Sequence, residues 1–199
     1  MPTGVAIHDV REQLFSAAER VLLRDGPSAL TSRAVTSEAG CAKGVLHRHF
    51  ADFDAFLAEL VSDRIARLDQ QASALLAAAG TGTVAEHLTD ALMDVFGSVA
   101  VAIVGLVTSR DELRARLRRI TPTGVPVLTE AAAMLGTYLH AERALGRMTT
   151  ATDLRVLAPT LIGAAHMLFA DRTGSPPDVE AVRALVDSVI AGSLSPPSH

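Results

Sequence analysis

Apolar residues recur at intervals of three and four along most of the chain, which is the spacing of amphipathic helices. The first run extends from His8 to Arg24 and is stopped by Asp25-Gly26-Pro27. A long helix is predicted after Asp52, and the capping box at Thr83–Glu86 predicts another that continues to about Thr108. Further helical runs cover residues 110–120, 126–145, 152–172 and 178–192. No strand pattern accompanies them, so the sequence predicts an all-α protein.

Residues 31–50 read as two short helices separated by a tight turn. The first is predicted over Ser32–Ala39 and the second over Lys43–His49, with Gly40-Cys41-Ala42 as the break. Thr31 or Ser32 can cap the first helix, and Gly40 stands where a left-handed residue would end it. Two helices joined by a glycine-containing turn of this length form the helix-turn-helix unit, whose second helix can enter the DNA major groove.

The second helix of this unit presents a polar, basic face. Leu46 is spaced to point inward, which leaves Lys43, His47 and Arg48 facing out. Arginine can donate two hydrogen bonds to guanine, and lysine can neutralise a phosphate. The alternative interpretation is an ordinary helical hairpin with a solvated basic side.

The same segment resembles the N-terminal DNA-binding domain of the tetracycline-repressor (TetR) family. It matches that family's pattern at Thr31, Ala39-Gly40, Lys43-Gly44, Leu46 and His49-Phe50. It departs from the pattern at Val35-Thr36, Ala42, Val45, His47 and Phe53. The resemblance implies a DNA-binding set, which comprises Ser32, Arg33, Ala42, Lys43, Gly44, Val45, His47, Arg48 and His49.

Two of the departures affect phosphate contacts. In the family, a tyrosine at the position of His47 and a lysine at that of Phe53 commonly touch phosphates, whereas Phe53 cannot donate a hydrogen bond. Histidine donates strongly only when protonated. We therefore predict weaker phosphate contacts than usual in the family, and DNA binding that strengthens below about pH 6.5.

Composition narrows the function further. The net charge is −4, so any DNA contact must come from a local patch, and Lys43 is the only lysine among 199 residues. Cys41 is the only cysteine, which fits a reducing cytoplasm, and no signal peptide is recognised. The seven histidines show no metal-binding spacing, and no phosphate loop or nucleophile motif occurs, so we predict no metal, no cofactor and no enzyme.

The remainder of the chain is predicted to bind an effector and to dimerise. The domains are residues 1–50 for DNA binding, 51–194 for effector binding and dimerisation, and 195–199 as a disordered tail. Architectural resemblance to the family gives the candidate ligand residues, each of which has an alternative as core: His87, Met93, Phe96, Leu117, Met134, Tyr138, His140 and His166. The arginine-rich run 110–120 is interpreted as a solvated face, with anion binding by Arg114 or Arg118 as the alternative.

Two amphipathic helices end the chain. Their apolar stripes can pair with a second copy as a four-helix bundle, which is how the family forms its dimer, or they can cap the core of one copy. We predict a homodimeric repressor, without a membrane anchor, that releases a palindromic operator when a small apolar or amphipathic molecule binds. The alternative is a helical small-molecule-binding or interaction protein whose DNA face has decayed.

Overall fold

The computed structural model of the protein describes residues 6–171 and 175–195. Ten α-helices and no strand lie within these residues, which confirms the all-α prediction. The helices are α1 (Ala6–Asp25), α2 (Ser32–Glu38), α3 (Val45–His49), α4 (Phe53–Ala77), α5 (Val84–Phe96), α6 (Ala100–Ser109), α7 (Asp111–Leu117), α8 (Leu128–Ala144), α9 (Leu154–Ala170) and α10 (Val179–Ile190).

The chain divides into two compact units. The first comprises Met1–Asp63 and Ala102–Val125, and the second comprises Arg64–Val101 and Pro126–His199. The domain boundary predicted after residue 50 stays a prediction. Of the predicted tail, Ser195 donates its backbone N–H to the carbonyl of Arg147 at 3.1 Å, whereas residues 196–199 lie outside the described residues.

The core of the first unit contains the apolar residues that the helical periodicity predicts. Leu14, Val35 and Leu46 are fully buried among α1, α2 and α3. The rings of Phe15, Phe50 and Phe56 pack against one another with centroids 5.0 to 6.0 Å apart. Burying such aromatic side chains supplies much of the driving force for a small helical unit.

Arginines next to and within α7 contact the start of α4, all within the first unit. The predicted cap of α4 is confirmed, because Asp52 Oδ1 accepts the backbone N–H of Ala55 at 2.7 Å. Arg116 donates to Asp52 at 2.7 Å, and Arg110 donates to Asp54 at 3.0 Å. The run 110–120 is largely exposed, as its interpretation as a solvated face expects, and these two arginines also form ion pairs that the sequence did not predict.

One predicted helix is two in the structure. The pattern predicts a single helix from Val84 to about Thr108, but α5 ends at Phe96 and α6 begins at Ala100. Arg64 Nη2 donates to the carbonyls of Asp94 and Val95, at 3.3 and 3.2 Å, and to Ser98 Oγ at 2.6 Å. In a continuous helix these carbonyls would accept backbone N–H groups of the next turn. Here the nearly buried Arg64 side chain donates to them instead, and it therefore stabilises the break between α5 and α6.

The second unit contains the two terminal helices. The stripe of α9 that was considered for pairing with a second copy includes Leu154, Leu157, Leu161 and Ala165, and these residues are buried within this unit. Val182, Val186 and Ile190 of α10 are buried in the same way. Among the described residues, no single helix has the length and apolarity to cross a membrane; α5 and α6 together pass that test, but they are bent by 54° at their break.

Candidate nucleic-acid interface and ligand cavity

The turn between α2 and α3 is built from local hydrogen bonds. Thr31 Oγ1 caps α2 by accepting the backbone N–H of Ala34 at 3.1 Å. Gly40 has a φ of +65°, and its N–H donates to Ser37 O at 3.1 Å, while that of Cys41 donates to Thr36 O at 3.0 Å. This pair of bonds is the Schellman motif, in which glycine is favoured because the left-handed conformation costs it least. α3 begins two residues later than predicted, so Lys43 and Gly44 lie in the preceding turn.

Cations that form no ion pair with described residues lie on the exposed side of the helix-turn-helix. Arg33, Lys43 and Arg48 are exposed and form no ion pair with any described residue, and His47 beside them is also exposed. Glu38, the acidic residue of α2, instead pairs with Arg20 and Arg24 on α1. Hydrogen bonds from Arg20 and then Arg24 hold the pKa of this carboxyl below its usual range. The carboxylate of α2 is therefore engaged by α1 and forms no ion pair with these three cations.

The remaining residues predicted to contact DNA differ in exposure. Ala42 and Gly44 are exposed, and Ser32 and His49 are half-buried. Val45 is only 9% exposed and lines a depression with Leu14 and Ala39. The side chain of Val45 therefore packs inward at the start of α3, and its contact with DNA stays a prediction.

Arg11 supports the end of α3 and was not identified from the sequence. Its Nη1 donates to the carbonyl of His49 at 3.4 Å, and its guanidinium lies 4.6 Å from the centroid of the Phe50 ring. It also forms an ion pair with Glu59. No local signal marks this role, because Arg11 and His49 are 38 residues apart in sequence.

The candidate ligand residues occupy several places in the structure. His87 and Met134 line one cavity of the second unit, and Phe96 lies against His166 with ring centroids 6.1 Å apart. Met93 is half-buried, and His140 is exposed with its Nδ1 2.7 Å from Gly136 O. Leu117 is buried in the first unit. Burial lowers the pKa of the His166 imidazole.

A buried polar network in the second unit joins His87 and Tyr138 to Glu142, which was not predicted. His87 Nδ1 lies 2.9 Å from the Tyr138 hydroxyl, and that hydroxyl is hydrogen-bonded to the carboxylate of Glu142. Burial first, and then the Glu142 carboxylate, raise the pKa of Tyr138 well above its usual range. The hydroxyl is therefore a hydrogen-bond donor to Glu142 rather than an ionising group.

The fully buried carboxylate of Glu142 also contacts the loop between α4 and α5. Glu142 Oε1 accepts the backbone N–H of Gly80 at 3.2 Å, and Arg147 Nε lies 3.1 Å from Oε2. Arg147 in turn donates to the carbonyls of Thr81 and Gly82, at 2.9 and 2.7 Å. These bonds hold the end of α8 against the start of α5.

Comparison with known proteins agrees with this geometry. Residues 14–60 match the model of the family described as bacterial regulatory proteins, tetR family. The match begins in α1 and ends in α4, so it includes the whole helix-turn-helix. Residues 14–60 of this chain are therefore similar to the helix-turn-helix segment of the tetR family of bacterial regulatory proteins.

Solved structures with the same fold cover nearly the whole chain. The reduced form of NemR from E. coli is 18% identical with a TM-score of 0.74, over 96% of this chain and 100% of that one. A putative transcriptional regulator from Saccharomonospora viridis in complex with choline is 16% identical with a TM-score of 0.67, over 95% and 100%. FadR from Bacillus subtilis in complex with stearoyl-CoA is 17% identical with a TM-score of 0.66, over 91% and 98%.

At these identities the likeness establishes the fold of the chain. A comparison by sequence with curated proteins found no significant match. The matched segment is thus similar to the DNA-binding part of tetR-family regulators, and the solved structures extend the likeness in fold over nearly the whole chain.

Proposed function

We propose that this protein is a homodimeric repressor that binds a palindromic operator and releases it when a small molecule binds the second unit. The observation that supports this most directly is the exposed, uncompensated set of Arg33, Lys43 and Arg48 on a tetR-type helix-turn-helix. A regulator that acts on chromosomal DNA in this way would work in the cytoplasm.

Each exposed side chain of this face suits a different part of DNA. Lys43 precedes α3 and can neutralise a phosphate, whereas Arg48 on α3 can donate two hydrogen bonds to a guanine edge. His47 donates to phosphate when protonated. Phe53 cannot supply a phosphate contact, since its ring stacks on Phe56 and lies under the Arg110 guanidinium.

The outer face of α9 supports dimerisation. Val156 and Met167 are 62% and 73% exposed, and Thr160 and Gly163 lie between them at helical spacing on the same side. Gly163 has open space where a side chain would stand, so the backbone of a second helix can approach closely. Two copies paired through such faces would be related by a two-fold axis, as the two half-sites of a palindrome are, whose centres lie about 34–36 Å apart.

The cavities of the second unit support effector binding. Two proteins of the same fold are known in complex with small molecules, choline in one and stearoyl-CoA in the other. One conformation of the dimer reaches both half-sites of the operator, and another does not. An effector would release the operator only if it bound the second conformation more tightly than the first.

The first experiment is a binding titration with the DNA immediately upstream of the protein's own coding region, against scrambled DNA, across a salt series. We expect specific binding. The logarithm of its association constant should fall linearly with the logarithm of the salt concentration, with a slope of about −0.9 for each phosphate neutralised. Lys43→Ala should reduce that slope by about one phosphate. Arg119→Ala removes another exposed cation of the same unit, outside the helix-turn-helix, and should leave binding unchanged.

Two results would count against the proposal. Equal, weak binding to both DNAs would move the search to a selection from random sequences, and failure there would contradict specific DNA binding. Absence of binding at every salt and pH would favour the alternative of a helical small-molecule-binding protein with a decayed DNA face.

A further inference from the structure

The helix α3 is too short to hold its own position. It comprises Val45–His49, and it is closed by the backbone N–H of Phe50, which donates to Leu46 O at 2.9 Å. A helix of this length is unstable by itself in water, and the carbonyls of its last turn have no partner within the helix. The orientation of α3 must therefore come from its contacts with other parts of the first unit.

Apolar contacts hold one side of α3. Leu46 is fully buried and Val45 is nearly so. Such contacts have no preferred direction, because the free energy of burial depends on the area removed from water rather than on an angle. They determine how deeply α3 is buried, but they leave it able to turn about its axis. Recognition of base edges requires side chains within about 0.5 Å and 10–20° of the correct geometry, so a directional contact is also needed.

Arg11 of α1 supplies a directional contact at the end of α3. Its Nη1 donates to the carbonyl of His49 at 3.4 Å, and its guanidinium lies 4.6 Å from the centroid of the Phe50 ring. The same guanidinium forms an ion pair with Glu59 of α4. Because the guanidinium group is planar and rigid, three partners in different directions fix its orientation. The last carbonyl of α3 is thereby tied to both α1 and α4.

Other arginines of α1 contact the helix-turn-helix in a different way. Arg20 and Arg24 form ion pairs with the Glu38 side chain at the surface of α2. A contact between two flexible side chains can rearrange without moving the backbone, whereas Arg11 bonds a backbone carbonyl directly. Arg11 is therefore the better placed of these arginines to control where a helix axis points.

We propose that Arg11 is a positioning residue for DNA recognition, which orients α3 so that Arg48 meets the base edges and does not itself touch DNA. Its charge is paired with Glu59, so it adds little to the positive field of the unit. Loss of Arg11 reduces discrimination between DNA sequences, while the attraction of Lys43 and Arg33 to phosphates persists. The inference rests on the proposed function, because it names a residue that sets the geometry of the same DNA-binding site.

The first test is binding of the full-length parent and of Arg11→Met to two DNAs across a salt series. One DNA is the sequence upstream of the coding region, or the sequence selected in its place, and the other is scrambled DNA of the same length. We expect the ratio of the two association constants to fall at least tenfold in Arg11→Met, with the salt dependence unchanged. An unchanged ratio would overturn the proposal. A slope reduced by about 0.9 would also overturn it, because Arg11 would then neutralise a phosphate itself.

A matched control removes a different arginine of α1. Arg20→Met breaks an exposed ion pair with Glu38 and makes the same change of charge and side chain. Because Arg20 acts on a side chain of α2, we expect the ratio of association constants to stay at the parental value. A loss equal to that of Arg11→Met would show that any arginine of α1 has this effect, and it would refute a specific role for Arg11.

Glu59→Gln separates positioning from charge, because the two explanations predict opposite signs. If only charge mattered, removal of a carboxylate from the first unit would strengthen binding to DNA. If Glu59 holds the Arg11 guanidinium in place, the ratio should instead fall at least threefold. Glu12→Gln removes an exposed carboxylate of α1 and should not lower the ratio. An unchanged or higher ratio in Glu59→Gln would contradict the proposal.

Hydrogen exchange of the full-length protein without DNA tests the contact by itself. Arg11→Met should speed exchange of the Phe50 N–H, which closes α3, at least tenfold. Exchange of the Ala39 N–H, which donates to Val35 O at 2.9 Å at the end of α2, should change less than twofold. Unchanged exchange at Phe50 would overturn the proposal. Equal acceleration at both amides would also overturn it, since it would indicate a general loss of stability.

DNA binding by the parent protein distinguishes failure of this inference from failure of the proposed function. Specific binding by the parent, with the same discrimination in Arg11→Met, would overturn the positioning role alone. Absence of specific binding by the parent to any DNA would overturn the repressor proposal, and the role of Arg11 in recognition with it, whatever the exchange rates.

Discussion

The two compact units use their polar residues in opposite ways. In the first unit, carboxylates such as Glu38, Asp52 and Asp54 are paired at the surface by arginines, and the cations of the helix-turn-helix stay exposed and free. In the second unit, Glu142 and Tyr138 are fully buried, and the Glu142 carboxylate accepts a hydrogen bond from Tyr138 and forms an ion pair with Arg147. Exposed ion pairs contribute little to stability, whereas a buried carboxylate is costly to leave unpaired. The first unit is therefore expected to tolerate charge changes that the second does not.

The largest expected effect tests the buried side of this contrast. Glu142→Ala would leave the Tyr138 hydroxyl, the Gly80 N–H and the Arg147 guanidinium without their acceptor. We expect the free energy of unfolding to fall by about 3–5 kcal/mol, measured by urea denaturation at a fixed protein concentration. In the first unit, Arg116→Ala breaks the exposed pair with Asp52 and should cost less than about 1 kcal/mol. Similar losses in both variants would remove the contrast.

The next effect concerns the exposed face of the first unit. Arg48→Ala should lower operator affinity by about 1–3 kcal/mol if its guanidinium reads a guanine, and the variant should lose discrimination at one base position. Unfolding should be little affected, because Arg48 is exposed and forms no ion pair with described residues. A variant that bound every operator sequence as tightly as the parent would show that α3 is not the recognition helix.

Two glycine substitutions, one in each unit, compare how backbone conformation contributes to stability. Gly40→Ala forces a side chain into a φ of +65° and should destabilise the protein by about 1–2 kcal/mol, although nothing lies within 4 Å of the added atom. Gly163→Ala in α9 also meets open space but at ordinary helical geometry, so it should stabilise the folded subunit by about 0.5–1 kcal/mol. Sedimentation measures dimerisation in the second variant, and weaker dimers are expected if two α9 faces meet at Gly163.

The smallest effect is the pH dependence of the second unit. Burial lowers the pKa of His166 in the folded state, whereas in the unfolded chain it has the ordinary value of about 6.5. At pH values between these two, the unfolded chain binds more protons at His166 than the folded protein does. Stability is therefore fully present above about pH 6.5 and declines as the pH falls below it. Urea denaturation between pH 8 and pH 5 should show a shallower decline in His166→Gln than in the parent. His140→Gln, at an exposed histidine, should retain the parental slope.

The helix-turn-helix could be predicted in detail because its signals are local. The cap at Thr31, the left-handed Gly40 and the inward Leu46 all act within about twenty residues of one another. Each depends on backbone geometry or helical spacing, which neighbouring residues determine. The exposure of Lys43, His47 and Arg48 followed from the same spacing, and it agrees with the structure.

The features that the sequence did not predict share a different physical origin. The break between α5 and α6 depends on Arg64, which lies about thirty residues earlier in the chain. The arginines at 110 and 116 found their partners at Asp54 and Asp52, more than fifty residues away. For the apolar stripe of α9 the sequence left two alternatives open, and in the structure the stripe packs within its own unit. Periodicity indicates that a face is apolar or charged, but it does not indicate which surface will cover that face.

The sequence by itself determined the all-α class, the helix-turn-helix at residues 31–50 and the side chains that this segment exposes. The tertiary structure decided which polar groups are buried together, and so produced the network around Glu142. The reason is the range of the interactions concerned. Helix signals act over one or two turns of the chain. A buried polar group, by contrast, needs a hydrogen-bonding partner, and that partner can come from a residue that is distant in sequence.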